Sequence, residues 1–207
     1  MPTQEYEGNG EINLLKHIAI VGIDGAGKTT LMNRLGSWLS EECGRSCYFA
    51  RTDRGNAKVL EGVEAGKGII FSDSVRLMAY AFDLALKYIQ VANMKGIDVV
   101  IWDRYTFCLD AYFLALGVDT TQARAVLAAI ERPDIVLWLD VDPNIACQRI
   151  IKREGKCKPL ENEEYLKIVR EVYWNMEREN SFARIDACLP PDDVFYAAKS
   201  IISEKLG

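Results

Sequence analysis

Several short stretches of the chain are almost wholly apolar and end abruptly in polar or glycine-rich residues. HIAIVG (17–22), DVVIWDR (98–104) and IVLWLDVDP (135–143) have the near-continuous apolar character of strands covered on both faces. SCYFAR (46–51) reads as a second short buried strand, and SFARID (181–186) as a last one. Between these runs the period changes to that of a helix. Residues 28–43 fit a helix stopped by Gly44, and residues 72–94 carry Leu77, Tyr80, Leu84, Tyr88 and Val91 on one stripe before Gly96. Helices over 106–116 and 120–130 follow the third strand. Asp142, as N-cap, and Pro143, at the first helical position, open a helix reaching about Arg153. A helix over 161–176 places Tyr165, Ile168, Val169, Val172, Tyr173 and Met176 on one face, and a final helix covers 192–206. The segment around Arg51, Asp53 and Arg54 reads as a polar connection. Strands alternating with helices predict a three-layer α/β/α domain around a five-stranded parallel sheet, with ligands at the strands' C-terminal ends. Residues 1–13 form a polar lead-in and residues 14–207 a single domain, without repeats or low-complexity linkers.

The exit of the first strand carries the clearest chemical signal. Gly22, Gly27, Lys28 and Thr29 complete G-x-x-x-x-G-K-[ST] between an apolar strand and a helix. Glycines let the backbone curl so tightly that successive N–H groups point inward, where they add to the positive end of the next helix and cradle phosphate oxygens. The loop predicts binding of a nucleoside triphosphate through Gly22, Asp24, Gly25, Ala26, Gly27, Lys28, Thr29 and Thr30. Lys28 is expected at the β- and γ-phosphates and Thr29 at a magnesium ion.

Composition narrows the setting. The chain has 207 residues, 49% hydrophobic and 27% charged, enough for one well-buried core. A formal charge of −5 supplies no general basic field, so neither long nucleic acid nor an anionic membrane is expected as a partner. Phosphate affinity must then be local. Six cysteines without a C-x-x-C pair read as reduced, packed thiols. The N-terminus lacks a basic start and an apolar h-region, and no apolar run is long enough to span a membrane, so a cytoplasmic protein is expected.

Phosphoryl transfer depends on aligning donor and acceptor and on neutralising the moving group, which requires cations drawn from several loops. Arg104 follows Asp103 at a strand tip, where a planar guanidinium has no core role and suits a phosphate. Asp103 either holds magnesium, directly or through water, or orients Arg104; both readings stay open. Arg149, Lys152, Arg153, Lys156 and Lys158 bunch around Gly155 and are expected to form a short cationic lid over about 150–160. Arg153 is its catalytic candidate and Arg149 the next. Arg54 is a further cation, on the loop leaving the second strand. No covalent intermediate is expected, since neither Cys108 nor Cys157 has a base partner in sequence.

These pieces, in this order, resemble the thymidylate kinases. The resemblance covers roughly residues 17–206. It rests on GIDGAGKTT (22–30), DRY (103–105) with Ala111 and Tyr112, PDIVLWLDVDP (133–143), the basic run 149–158, and RIDA (184–187). It implies a P-loop kinase fold and ATP- and magnesium-dependent phosphoryl transfer to a nucleoside monophosphate, most simply dTMP. It further implies that Asp24, Arg54, Arg104, Tyr105 and Tyr112 hold the acceptor and that Asp186, with Ala187, lies near the adenine. Ala26 occupies a position where some members have arginine, which resembles the branch whose lid supplies the catalytic cation. The resemblance also allows a homodimer, for which the 72–94 helix is a candidate. Departures cluster where a base would be read. LMAYAFD (77–83) has no arginine in the register of F-A-x-x-R, Arg76 being displaced, while Cys108, Phe113 and KPLE (158–161) replace other family residues. An acceptor other than dTMP, including a nucleoside or a specialised metabolite, therefore stands as the alternative, with non-catalytic nucleotide binding as a third reading.

Overall fold

The computed structural model describes residues 15–52, 54–180 and 182–206. The lead-in expected over 1–13 lies outside the described residues. β1 (Lys16–Val21), β2 (Cys47–Arg51), β3 (Val99–Asp103), β4 (Ile135–Asp140) and β5 (Ala183–Asp186) form a five-stranded sheet in the order β2-β3-β1-β4-β5, with every pairing parallel. The helices are α1 (Lys28–Glu41), α2 (Gly55–Lys67), α3 (Asp73–Ala92), α4 (Thr106–Ala115), α5 (Thr121–Leu127), α6 (Pro143–Glu154), α7 (Glu163–Asn180) and α8 (Pro191–Leu206). A 3₁₀ turn at Pro159–Glu161 precedes α7.

Burial follows the apolar runs. Every residue of β3 and β4 is buried, as is β1 from His17 onward, and Trp102 and Trp138 are the largest side chains fully enclosed. Their helical covers require parallel crossovers on both faces. Because all strands run the same way, the loops after Val21, Arg51, Asp103, Asp140 and Asp186 emerge along one rim. Among the described residues no helix is long and apolar enough to cross a membrane.

Three expectations need correction. β2 is an edge strand in which only Ala50 is buried, not a strand enclosed on both faces. The polar connection after it contains a helix, α2, hidden in sequence by Gly55, Gly62 and Gly66 and by a face that buries only Ala57. Its N-terminus is capped from outside. The buried Asp83 of α3 accepts from the N–H groups of Asn56 at 2.8 Å and Ala57 at 3.1 Å, so no local cap residue announces the helix. On α7, Leu166 joins Tyr165, Val169, Tyr173 and Met176 in the core, whereas Ile168 is exposed and Val172 half-buried.

Two glycines fix the rim against the sheet. Gly22 has φ 139, and a Cβ there would stand 2.5 Å from the Leu139 carbonyl oxygen of β4. Gly25 has φ 81, and its Cβ would meet the Ala146 oxygen of α6 at 2.4 Å. The loop thus packs backbone to backbone on the strand and helix beside it. Gly25→Ala combines left-handed strain with displacement of main chain, and an expected loss of about 2–5 kcal/mol in unfolding free energy follows from those two costs. Urea denaturation of the variant reads that loss directly; an unchanged midpoint would show that the loop is not seated on α6.

Candidate active site

The P-loop leaves the central strand β1 and enters α1, whose N-cap, Gly27, supplies no side-chain cap. The first-turn N–H groups of α1 therefore face the loop interior, the geometry that receives an anion. Lys28 is buried and donates from Nζ to the carbonyls of Gly22 at 3.0 Å and Ile23 at 2.8 Å, with Asp24 3.9 Å away. Burial, then the like charge of Arg104, lower its ammonium to about 8, against the opposing pull of Asp24. A lysine so placed gives up two neutral carbonyls readily when phosphate oxygens offer opposite charge.

Asp24 is the hub of the charges. Its carboxylate accepts from Arg104 Nη2, and its main-chain N–H donates to Tyr112 Oη at 2.8 Å. Burial would push this carboxyl up, but Arg104, Lys28 and the Tyr112 hydrogen bond together draw it down to about 2. The Arg104 guanidinium lies over the Tyr112 ring, 5.2 Å from its centroid, and the Arg104 backbone is left-handed at φ 79. That conformation costs about 1–2 kcal/mol for a non-glycine residue, strain of a kind that gathers at functional sites.

Asp103 does not orient Arg104. Its buried carboxylate accepts from Thr29 Oγ1 at 3.0 Å and pairs with Arg51 at 3.2 Å, while Arg104 turns to Asp24. Thr29 and Asp103 thus set two hard oxygen donors side by side at the loop floor, which suits magnesium completed by phosphate and water. Among the described residues no group of three or more His, Cys, Asp and Glu could hold a metal unaided. The donor set therefore fits an ion that arrives with nucleotide.

The protein has two cavities of about 180 Å³ each, one at the P-loop and one between α2 and α3. One begins at Ala26, Gly27 and Thr30 and continues between Arg34, Arg149 and Ala187. Arg149 donates to the Ala187 carbonyl at 2.9 Å. Asp186 itself does not line this cavity; its carboxylate accepts from the Cys188 N–H, and the neighbouring Ala187 forms the wall. The other cavity lies between α2 and α3 and includes Glu61, Glu64, Arg76, Tyr80, Phe113 and Leu160. Arg54, left-handed at φ 56, ion-pairs with Glu61 and donates to Tyr80 Oη at 3.0 Å. Tyr80 packs on Phe113, the neighbour of Tyr112, so an aromatic bridge links Arg54 to Arg104.

The structure separates other expected residues from this centre. Tyr105 is buried, its hydroxyl donates to the Glu131 carbonyl at 2.6 Å, and its ring meets Trp102 edge-on, which packs it in the core. Arg149, Lys152 and Arg153 belong to α6 and not to an irregular lid, since the helix runs to Glu154 before the left-handed Gly155. Arg153 is 62% exposed and pairs with its neighbour Glu154 at 2.6 Å. Sequence reasoning missed Arg76, which lines the second cavity and is held by Glu64 at 2.7 Å. FSDSVR (71–76) spaces its phenylalanine and arginine one residue farther apart than F-A-x-x-R, and that near match was the available signal. The cap role of Asp83 and the cavity-lining Arg34 had none.

The family model for thymidylate kinase matches residues 20–197. The chain is 32% identical over 192 residues to a probable thymidylate kinase 1 of Saccharolobus solfataricus, covering 92% of this chain and 98% of that protein. A probable thymidylate kinase of Archaeoglobus fulgidus is 32% identical over 197 residues, covering 91% and 95%. A thymidylate kinase of Xanthomonas oryzae pv. oryzae is 30% identical over 187 residues, covering 89% and 82%.

The charge hub predicts a pH dependence. The unfolded chain takes up a proton at Asp24 near its ordinary 3.8, the folded one only near 2, so the contribution of Asp24 is complete above about pH 4 and fades as pH falls toward 2. The difference in unfolding free energy between the protein and Asp24→Asn should be constant from about pH 5 to 7 and shrink below about pH 4. A difference that persists undiminished to pH 2 would contradict the arrangement.

Proposed function

This chain belongs to the thymidylate kinase family, a family of phosphotransferases acting on nucleoside monophosphates, and we propose that it moves the γ-phosphoryl group of ATP to dTMP. One observation supports the reading: Lys28, Asp24 and Arg104 form a single cluster at the P-loop, next to a cavity that begins at Ala26, Gly27 and Thr30, and the Tyr112–Phe113–Tyr80 aromatics connect that cluster to a second cavity between α2 and α3. The first takes the donor, because it continues from the P-loop. The second takes the acceptor, with its phosphate toward Arg54 and Arg104 and its base toward Phe113 and Arg76.

The chemistry needs little covalent help. The P-loop N–H groups and Lys28 hold the donor's terminal phosphates. Arg104, released from Asp24, holds the acceptor phosphate, and Asp24 then stays ionised as a counter-charge that keeps both cations in place. Thr29 and Asp103 would hold magnesium, which would supply neutralisation of phosphate charge when bound. Arg153 reaches the transferring group only if its pair with Glu154 opens, and we assign it that role as the mobile cation on α6. All six cysteines are unpaired, which supports a reducing compartment such as the cytoplasm. We also propose a second copy as partner, seated on the exposed apolar stripe Val75, Phe82, Leu86 and Ile89 of α3.

With ATP and magnesium, dTMP should be the preferred acceptor among a panel of nucleoside monophosphates, and ATP turnover without an acceptor should be slight. Equal or better use of another monophosphate, or of a nucleoside, would replace dTMP as the substrate. Arg104→Ala should lower kcat/KM by about 100-fold or more, as expected for loss of a charged contact to a reacting phosphate. Full activity in that variant would argue for an acceptor lacking the phosphate. Light scattering should give twice the 23.3 kDa chain mass, with Phe82→Glu returning it to the monomer; a monomeric parent protein would refute the α3 contact.

A further inference from the structure

Two of the six cysteines meet beside the basic run that follows β4. Cys147 lies in the second turn of α6 and is buried, whereas Cys157 is half-buried on the connection after the left-handed Gly155. The Cys157 thiol points at the Cys147 carbonyl at 3.9 Å and is in hydrogen-bond contact with the Cys147 thiol, which itself donates to the Glu161 carbonyl at 3.3 Å. Lys158, next in sequence, is held by Glu154 at 2.9 Å and Glu161 at 3.1 Å, so the returning segment is pinned along the helix end. Elsewhere the thiols are placed differently. Cys108 is buried and accepts from the Tyr173 hydroxyl at 3.1 Å, Cys188 accepts from the Asp142 N–H at 3.4 Å, and Cys43 and Cys47 sit at the opposite rim, where β2 begins.

The two thiols differ in reach and in acidity. Burial, then the charge of the neighbouring Cys157 sulfur, pushes the Cys147 thiol up to about 11, so it keeps its proton at neutral pH. Cys157 is the more accessible of the two, and an oxidant meets it first.

We propose that Cys147 and Cys157 form an oxidation site, which a peroxide converts to a disulfide that fastens the 155–158 segment to α6. The Cys157 sulfur attacks one peroxide oxygen, the O–O bond breaks, and the hydroxide that leaves takes up the thiol proton as water, leaving a sulfenic acid. The Cys147 sulfur then attacks the Cys157 sulfur, the S–O bond breaks, and the departing hydroxide takes the Cys147 proton as a second water. Two thiols thus lose two electrons and two protons, and one hydrogen peroxide becomes two waters. A thiol reductant reverses the bond by exchange, as suits a transient disulfide in a reducing compartment. Because Cys147 keeps its proton, the second step is slow and the pair answers sustained oxidant. The bond closes residues 147–157 into a ring that contains Arg149 and Arg153. It holds the turn where Glu154 keeps Arg153, so turnover falls; this effect rests on the role proposed above for Arg153.

Treatment of the full chain with hydrogen peroxide, followed by peptide mass spectrometry without reductant, tests the site. The peptides of Cys147 and Cys157 should appear joined and lighter by two hydrogen atoms. The rate with ATP and dTMP should fall about tenfold and return with dithiothreitol, as expected when a mobile segment is tethered. Cys157→Ser should keep the basal rate and resist the loss, and Cys147→Ala should stop at a Cys157 sulfenic acid that dimedone labels. Absence of the joined peptides, a bond to Cys43 or Cys188 instead, or equal inactivation of Cys157→Ser would each overturn the inference. If no monophosphate is phosphorylated, the functional reading fails separately. Trypsin cleavage after Lys156 in the folded protein then decides the tether: slowing of about fivefold on oxidation supports it, and unchanged cleavage refutes it.

Discussion

The carboxylate of Asp24 sits against two cations, Lys28 and Arg104, and the rest of the site is arranged around that pairing. Two like charges in a poorly solvated crevice repel, and without an anion between them the lysine would lose its proton more readily still. The Arg104 and Asp24 side chains are 39% and 25% exposed, so their pairing, backed by Lys28 and the Tyr112 ring, offsets part of the ~1–2 kcal/mol typical of a left-handed backbone such as that of Arg104. It also explains why the loop must be rigid. Gly22 and Gly25 seat the loop against β4 and α6 with no room for a Cβ, so Asp24 cannot drift from Arg104.

What could be read from sequence was whatever is set by neighbours along the chain. The buried strands β1, β3 and β4 show as apolar runs, the P-loop as a fixed spacing, and the start of α6 as Asp142 and Pro143, whose cap the structure displays as a 2.9 Å bond to the Asn144 N–H. What escaped was set by partners far apart in sequence. The start of α2 depends on Asp83, 26 and 27 positions away, and no local pattern announces it. Tyr105 follows Arg104 directly, yet successive positions after a strand point in opposite directions, and the tyrosine goes to the core. Sequence adjacency left open whether Asp103 orients Arg104; in the fold Arg104 takes Asp24 and Arg51 takes Asp103.

The same limit applies to the basic run after β4. As sequence it is one cluster around Gly155, but the helix sorts it by position. Arg149 lines the cavity that begins at the P-loop, whereas Arg153, one turn on, is exposed and tied to Glu154. Lys158 is bound by Glu154 and Glu161, so part of the expected cover is already neutralised by its own neighbours. Charge count alone did not reveal this, because the carboxylates that neutralise the run are interleaved with it. At the cavity between α2 and α3 the pattern repeats, with Arg54 held by Glu61 and Arg76 by Glu64, two carboxylates one turn apart on α2.

In the proposed reaction, donor and acceptor phosphates converge on the charges of Lys28, Asp24 and Arg104. The affinity of a dinucleotide that joins the 5′ positions of adenosine and thymidine through a polyphosphate chain tests it most directly, measured by calorimetry against ATP and dTMP alone. The account predicts binding at least about a hundredfold tighter than either nucleotide, because one molecule fills both cavities and the second contact becomes intramolecular. An affinity no greater than that of ATP would show that the two cavities do not serve one reaction centre.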